Sequence, residues 1–207
     1  MKLVREHINE ISLGGSHLDR MGVGIKEAIN KWLATHHIEK ENYTINDDMT
    51  INMHPLLYRY SLLIDLTGVN IPDFIKFRYI RGDLNLKNSY ISLSNNLKVE
   101  GHLNLSYSNI TSLPDGLYVM HILDLSHTEI TSLPDDLYVG GSLNLSNTNI
   151  ISLPNKFTIK YDLDLSNTPI TSLPNGLKVR GWLDIRNTNI SYLPTAFKVK
   201  SKILKDF

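Results

Sequence analysis

The sequence predicts a repeat solenoid, in which short coils stack into a curved, all-parallel β-sheet with little or no helix on the convex side. Three observations predict it. A Leu-x-Leu or Leu-x-Ile pair recurs every 19 or 20 residues, an isoleucine follows seven residues after each first leucine, and a Leu-Pro pair comes next in most units. A regular period of this length is typical of a solenoid. The first leucines of the pairs are Leu84, Leu103, Leu123, Leu143, Leu163 and Leu183.

The spacing within the unit predicts the course of each coil. In a strand, the residues of a Leu-x-Leu pair point to the same side, so both leucines point inward and the residue between them points outward. A Ser/Thr/Asn-rich stretch then turns the chain, and proline favours an extended return path. We expect irregular or polyproline-like segments on that return path. A single coil buries too little to fold alone, so the coils are stable only as a stack.

One hydroxyl position inside the turn is expected to be structural. A serine or threonine there can bond to backbone groups that the turn leaves unpaired. The residues at this position are Ser89, Ser108, Thr128, Thr148, Thr168 and Thr188.

Residues 23–80 are expected to form a small α+β N-terminal cap that includes a degenerate first repeat. Apolar residues at helical spacing predict a helix over 24–38, with Trp32 in the core of the cap. Two strands are expected near 43–46 and 49–53. Residues 1–22 are interpreted as an N-terminal tail, and residues 81–207 as the repeats.

The last repeat is expected to end in a basic edge. Ile203 falls 20 residues after Leu183 and so begins another coil. Lysines at an exposed strand edge discourage edge-to-edge pairing, which favours a charged cap. Docking of a partner or a second copy at this edge, and so self-association, is the alternative. The lysines are Lys198, Lys200, Lys202 and Lys205.

The outward positions of the predicted strands are the candidate site for a protein partner. Asparagine and aspartate lie between the paired leucines, and the position before each first leucine varies in character. Tryptophan and arginine are common anchors of protein interfaces, so we expect one cluster around Trp182 and a second area at His102 and Ile122. Packing of Trp182 over a neighbouring coil is the alternative. The candidate binding residues are Trp182, Asp162, Asp184, Arg186, Asp164, His102, Ile122 and Asp124.

Composition argues against several other functions. The 21 basic and 21 acidic residues balance, which disfavours a general nucleic-acid binder but leaves room for a local basic patch. The absence of cysteine excludes disulfides and thiolate chemistry. We find no signal sequence, membrane span, metal-ligand set, cofactor motif or catalytic constellation, and therefore expect a cytoplasmic, non-enzymatic protein without membrane or nucleic-acid partners.

The unit G-x-L-x-L-S-x-T-x-I-x-S-L-P-x-x-L-x-V resembles the short leucine-rich repeats of secreted bacterial effectors. The segments MKLVREHINE, IKEAINKWL and NYTINDDMTINM make the chain similar to leucine-rich-repeat proteins encoded by bacteriophages. The resemblance implies a leucine-rich-repeat fold and a phage protein located in the infected cell. The expected function is non-catalytic binding of a host or phage protein through the concave face. A virion-associated or assembly protein is the alternative.

Overall fold

The structure is a computed structural model that describes residues 17–54 and 62–206. Helix α1 (His17–Thr35) is followed by a short 3₁₀ helix (Lys40–Asn42) and by strands β1 (Tyr43–Ile45) and β2 (Thr50–Met53). These strands lie where two strands were expected, and they pair antiparallel. Residues 1–16 of the predicted tail lie outside the described residues. The helix begins at His17 rather than at residue 24, because a glycine in a helix costs only about 1 kcal/mol and no proline interrupts this stretch.

The main sheet contains the predicted Leu-x-Leu strands and confirms the repeat solenoid. Its eight strands are all parallel, and equivalent leucines lie side by side, as Leu143 does with Leu123 and Leu163. Ile203 pairs with Leu183, so the strand expected after the last full unit is present. The strands are β3 (Leu62–Asp65), β5 (Gly82–Asn85), β7 (Leu103–Asn104), β9 (Leu123–Asp124), β11 (Leu143–Asn144), β13 (Leu163–Asp164), β15 (Leu183–Asp184) and β17 (Ile203–Leu204).

A short segment of each return path pairs into a second sheet, so our expectation of an irregular path is wrong for these segments. The Leu-Pro stretches before them, such as residues 150–154, are irregular as expected. Once coils of equal length are stacked, equivalent extended segments lie one strand spacing apart, and their N–H and C=O groups pair. Val119, for example, lies beside Val99 and Val139. The strands are β4 (Lys76–Ile80), β6 (Lys98–Val99), β8 (Tyr118–Val119), β10 (Tyr138–Val139), β12 (Thr158–Ile159), β14 (Lys178–Val179) and β16 (Lys198–Val199).

The second sheet is interrupted once. Strands β1, β2, β4, β6, β8 and β10 form one ladder, whereas β12, β14 and β16 form another. Within the described part of the chain, no strand pairing joins Val139 to Ile159, although the main sheet continues past this level from β11 to β13.

A single hydrophobic core fills the space between the two sheets. Leu143, Leu145 and Ile150 of one coil are buried together with their counterparts in the coils on either side. The turn hydroxyls also lie in this interior. Thr148 donates a hydrogen bond of 2.7 Å from Oγ1 to the carbonyl oxygen of Leu145, and the hydroxyls at 108, 128, 168 and 188 make the equivalent bond. The structural role predicted for this position is confirmed.

The N-terminal elements cover one end of this core. Ile29 and Leu33 of α1 are fully buried, and Trp32 packs against the core with its ring stacked on His36 at 4.0 Å. Strand β2 pairs in parallel with β4, which continues the second sheet into the β1–β2 hairpin. Trp32 therefore contributes to the packing of this end, as expected.

Neighbouring coils approach each other closely at a glycine position before the main-sheet strands. The N–H of Gly141 donates to the carbonyl oxygen of His121 at 3.0 Å. A Cβ atom on Gly141 would lie 2.6 Å from both the carbonyl carbon and the oxygen of His121. The equivalent position carries a bulky residue in alternate coils, namely His121 and Tyr161.

Candidate binding surface

The Asp/Asn row between the paired leucines closes the turn at the end of each strand. Oδ1 of Asp124 accepts the backbone N–H of Ser126 at 2.9 Å, and Oδ1 of Asp164 accepts that of Ser166 at 2.8 Å. One oxygen of each side chain is thus engaged inside its own coil. The sequence interpretation placed these residues in the binding site and did not include this structural role, although Asp or Asn two residues before Ser is a signal of such a turn.

Asp184 has a further partner in Arg186. The Arg186 Nε atom donates to Asp184 Oδ1 at 3.0 Å, and its Nη2 atom donates to Oδ2. Burial would raise the pKa of Asp184, but the hydrogen bonds from the side chain and backbone of Arg186, together with its positive charge, lower the pKa below its usual value. The hydrogen bond to Asp184 and its negative charge raise the pKa of Arg186, and Asp164, which lies beside Asp184 in register, adds to this effect. Arg186 therefore offsets the repulsion between the two carboxylates.

The Asp184–Arg186 pair should make stability depend on pH. Because the pKa of Asp184 is lower in the folded chain, its stabilisation is present above about pH 4 and is lost as pH falls through the folded pKa. We expect Asp184→Asn to lower the free energy of unfolding at pH 7 by about 1–2 kcal/mol, because Arg186 loses a charged partner. Urea unfolding at pH 7 and near pH 3 measures this difference.

The pH prediction has a matched control in Asp164→Asn. Asp164 has the same turn geometry, but no arginine side chain within the described part of the chain donates a hydrogen bond to it. Asp164→Asn should change the free energy of unfolding by less than Asp184→Asn does, both at pH 7 and near pH 3. An effect of Asp184→Asn that is the same at pH 7 and pH 3 would contradict the assigned role of the ion pair.

The residues before the first leucines link one coil to the next. Asp162 Oδ1 accepts the backbone N–H of Trp182 at 2.8 Å, and His102 Nδ1 accepts that of Ile122 at 3.2 Å. Ser142 Oγ likewise accepts the N–H of Asp162 at 3.1 Å. Asp162 and His102 therefore hold the next coil in place, a role that depends on the stacking register.

An exposed apolar strip lies where the chain passes from the second sheet into the main sheet. We call Met120, Ile122, Tyr161 and Trp182 the entry strip. Their side chains are 47%, 41%, 61% and 57% exposed, respectively. The Trp182 ring is not stacked on another ring in the described chain. Its exposure favours the surface position that we expected over packing across a neighbouring coil.

The sequence interpretation missed Met120 and Tyr161. Tyr161 occupies the glycine position of the repeat, so it looked like a framework residue rather than a surface one. Its neighbours at this position are Gly141 and Gly181, which carry no side chain. A bulky residue between two glycines of the same repeat position is the signal that could have found it.

The structure brings some predicted residues together and separates others. Trp182, Asp184 and Arg186 lie on or just beside β15, and Asp162 bonds to the backbone of Trp182. His102 and Ile122 are also neighbours. However, His102 precedes β7 and Trp182 precedes β15, so these two residues are about 19 Å apart along the stack. Ile122 and Asp162, which precede β9 and β13, are about 10 Å apart. The two areas can meet one partner only if that partner spans several coils.

The described residues offer neither a metal site nor a membrane span. Among residues 17–54 and 62–206, no three histidine or acidic side chains are grouped so that they could hold a metal ion. In the same residues, no helix combines the length and hydrophobicity needed to cross a membrane. No family model matches the chain, and neither a curated protein nor a solved structure shows significant similarity to it.

Proposed function

We propose that the protein is a non-catalytic scaffold that binds another protein through the entry strip. The observation that supports this most directly is the 57% exposure of Trp182, next to an exposed Tyr161 one coil away. Large aromatic side chains are costly to leave in water and are typical anchors of protein interfaces. In this proposal the Asp/Asn row holds the strands beneath the contact, and Arg186 adds a charged group at its margin.

The rigidity of the strip supports the same function. The backbone of Trp182 is fixed by the bond to Asp162 and by the parallel pairing of β15 with β13 and β17. The backbone of Ile122 is fixed in the same way by His102. Groups that are already ordered before binding lose little conformational entropy on binding, which favours affinity.

The proposed partner class follows from the resemblance described above. If the chain is a phage-encoded leucine-rich-repeat protein, the partner is a host or phage protein in the infected cell. The test of the entry strip requires neither the origin of the chain nor the identity of the partner, because it only compares capture by two variants.

Trp182→Ala should weaken binding of a protein partner by at least about 1–2 kcal/mol while the fold stays intact. The exposed ring makes few contacts within the coil, so its loss leaves the core unchanged. Partners captured from nuclease-treated lysate of the natural host, quantified by mass spectrometry for wild type and variant, provide the measurement. Tyr192→Ala is the matched control, because Tyr192 is an equally exposed aromatic residue outside the strip, at 65%.

Equal capture by wild type and Trp182→Ala would contradict the proposed role of the entry strip.

The second candidate function, assembly into a larger structure, is supported by the last described coil. There Phe197 and Ile203 are only half-buried, whereas their counterparts Leu177 and Leu183 are fully buried. A regular oligomer in sedimentation analysis, unaffected by Trp182→Ala, would favour assembly over capture.

A further inference from the structure

The zero net charge of the chain is an average over two strongly charged regions. Residues 99–155 contain six acidic residues and neither lysine nor arginine. Residues 156–205 contain nine basic and three acidic residues. An argument from net charge therefore does not describe the surface of the last coils.

The second sheet gathers five of these cations on one face. Ile159, Val179 and Val199 point inward from neighbouring strands, so the residues before and after each of them point outward. Lys178 and Lys198 pair directly in register, about 4.8 Å apart. All five side chains are exposed. We call Lys160, Lys178, Arg180, Lys198 and Lys200 the basic face.

Among the described residues, no ion pair joins a carboxylate to a cation of the basic face. The four ion pairs of the described residues involve Asp47, Asp48, Glu100 and Asp184, none of which pairs with a cation of this face. Lys160 donates a hydrogen bond to the Tyr138 hydroxyl at 2.9 Å, which leaves its charge in place. Like charges directly opposite on neighbouring strands are destabilising. Their concentration here is explained if an anionic ligand supplies the missing charge.

The charge density favours a nucleic acid over an acidic protein. Five cations lie within three strands, a width of about 10 Å. A nucleic-acid strand carries one negative charge per nucleotide by covalent structure, so consecutive phosphates form a continuous row of charges. An acidic protein would have to hold several carboxylates close together, where their charges repel even in water.

Two exposed aromatic rings border the cations and favour a single strand. Tyr161 follows Lys160 directly, and Trp182 lies two residues after Arg180. In the described chain, neither ring stacks on another ring or has a cation over its face. Unpaired bases stack on such rings while cations hold the phosphates. Tyr118 and Tyr138 differ, because their rings cover each other at 4.4 Å.

We infer that the basic face binds the phosphates of a single-stranded nucleic acid, with bases stacking on Trp182 and Tyr161. This site goes beyond the proposed protein-binding function, since it lies on the second sheet and involves the entry strip only at these two rings. The basic face thus gives a chain of zero net charge a local binding site for polyanions.

The first test is binding of a labelled oligothymidylate of about 12 nucleotides to the purified protein, measured by anisotropy at about 50 and 200 mM salt. We expect binding that weakens with salt and involves about three to five phosphates. Lys178→Glu with Lys198→Glu should weaken it by at least about tenfold and lower the salt slope. Lys31→Glu with Lys87→Glu is the matched control, because both lysines are exposed and distant from this face.

The second readout is tryptophan fluorescence, which reports stacking rather than charge. We expect the oligonucleotide to quench the wild type but not Trp182→Leu, because Trp32 is packed in the cap. Trp182→Leu should also weaken binding roughly 5- to 100-fold. Polyglutamate of the same length serves as the competing anion. The double Lys178/Lys198 variant should still capture a protein partner from nuclease-treated lysate, which separates this site from the protein-binding function.

Any of three results would overturn the inference. They are a lack of binding by the wild type at low salt, an equal loss of affinity in the two double lysine variants, and binding of polyglutamate as tight as that of the oligonucleotide. The last result, without quenching of Trp182, would assign the face to an acidic protein segment.

Discussion

Leu143→Ala will lower the free energy of unfolding by about 2–5 kcal/mol. The side chain is 1% exposed and packs in the middle of the stack, between Leu123 and Leu163. Both neighbouring coils are held by strand pairing, so they cannot easily close the cavity that alanine leaves. Urea unfolding followed by circular dichroism measures the loss.

The control for Leu143→Ala is Ile151→Ala in the same coil. Ile151 is 61% exposed, so its truncation should change the free energy of unfolding by less than about 0.5 kcal/mol. Similar losses from the two variants would mean that the main-sheet leucines are not the core of this coil. Partner binding by Leu143→Ala should remain normal under conditions where the variant is folded.

Gly141→Ala will lower the free energy of unfolding by about 1–3 kcal/mol through overpacking. The added Cβ atom would stand 2.6 Å from the carbonyl carbon of His121, closer than such atoms can lie. The obstacle is backbone rather than the end of a flexible side chain, so two coils must shift apart. Their shift strains the hydrogen bond from the Gly141 N–H to His121.

Thermal and urea unfolding measure the Gly141→Ala effect, with Ser201→Ala as the matched control. Ser201 occupies the same position of the repeat and already carries a Cβ atom. Its substitution should be neutral to within about 0.5 kcal/mol. A neutral Gly141→Ala variant would show that the coils can separate at this point without cost.

The sequence was sufficient for the main sheet because its signal is periodic. Leu84 and its counterparts define the strand register, and Ile203 extended that register correctly to the last strand. The second sheet was not predictable in the same way. A two-residue segment such as Tyr118–Val119 has no strand signal of its own and pairs only because stacking aligns it with its neighbours.

The candidate surface was predictable only in part, for a similar physical reason. Trp182 differs in character from the framework residues, and the structure shows it exposed. The roles of Asp162 and His102 depend on which backbone N–H group lies above each side chain, which the sequence does not contain. The basic face likewise depends on the second sheet, because only that sheet brings Lys178 beside Lys198.

The interruption of the second sheet between Val139 and Ile159 has a consequence for how the molecule loses structure. In a linear array, stability is a sum of unit energies and nearest-neighbour couplings, and opening starts at the weakest coupling. Two coils joined by one ladder instead of two form such a link. We expect the chain to behave as two cooperative unfolding units that meet there. Acidic residues outnumber basic ones in the first unit, which is capped by α1, whereas the second carries the basic face and Trp182.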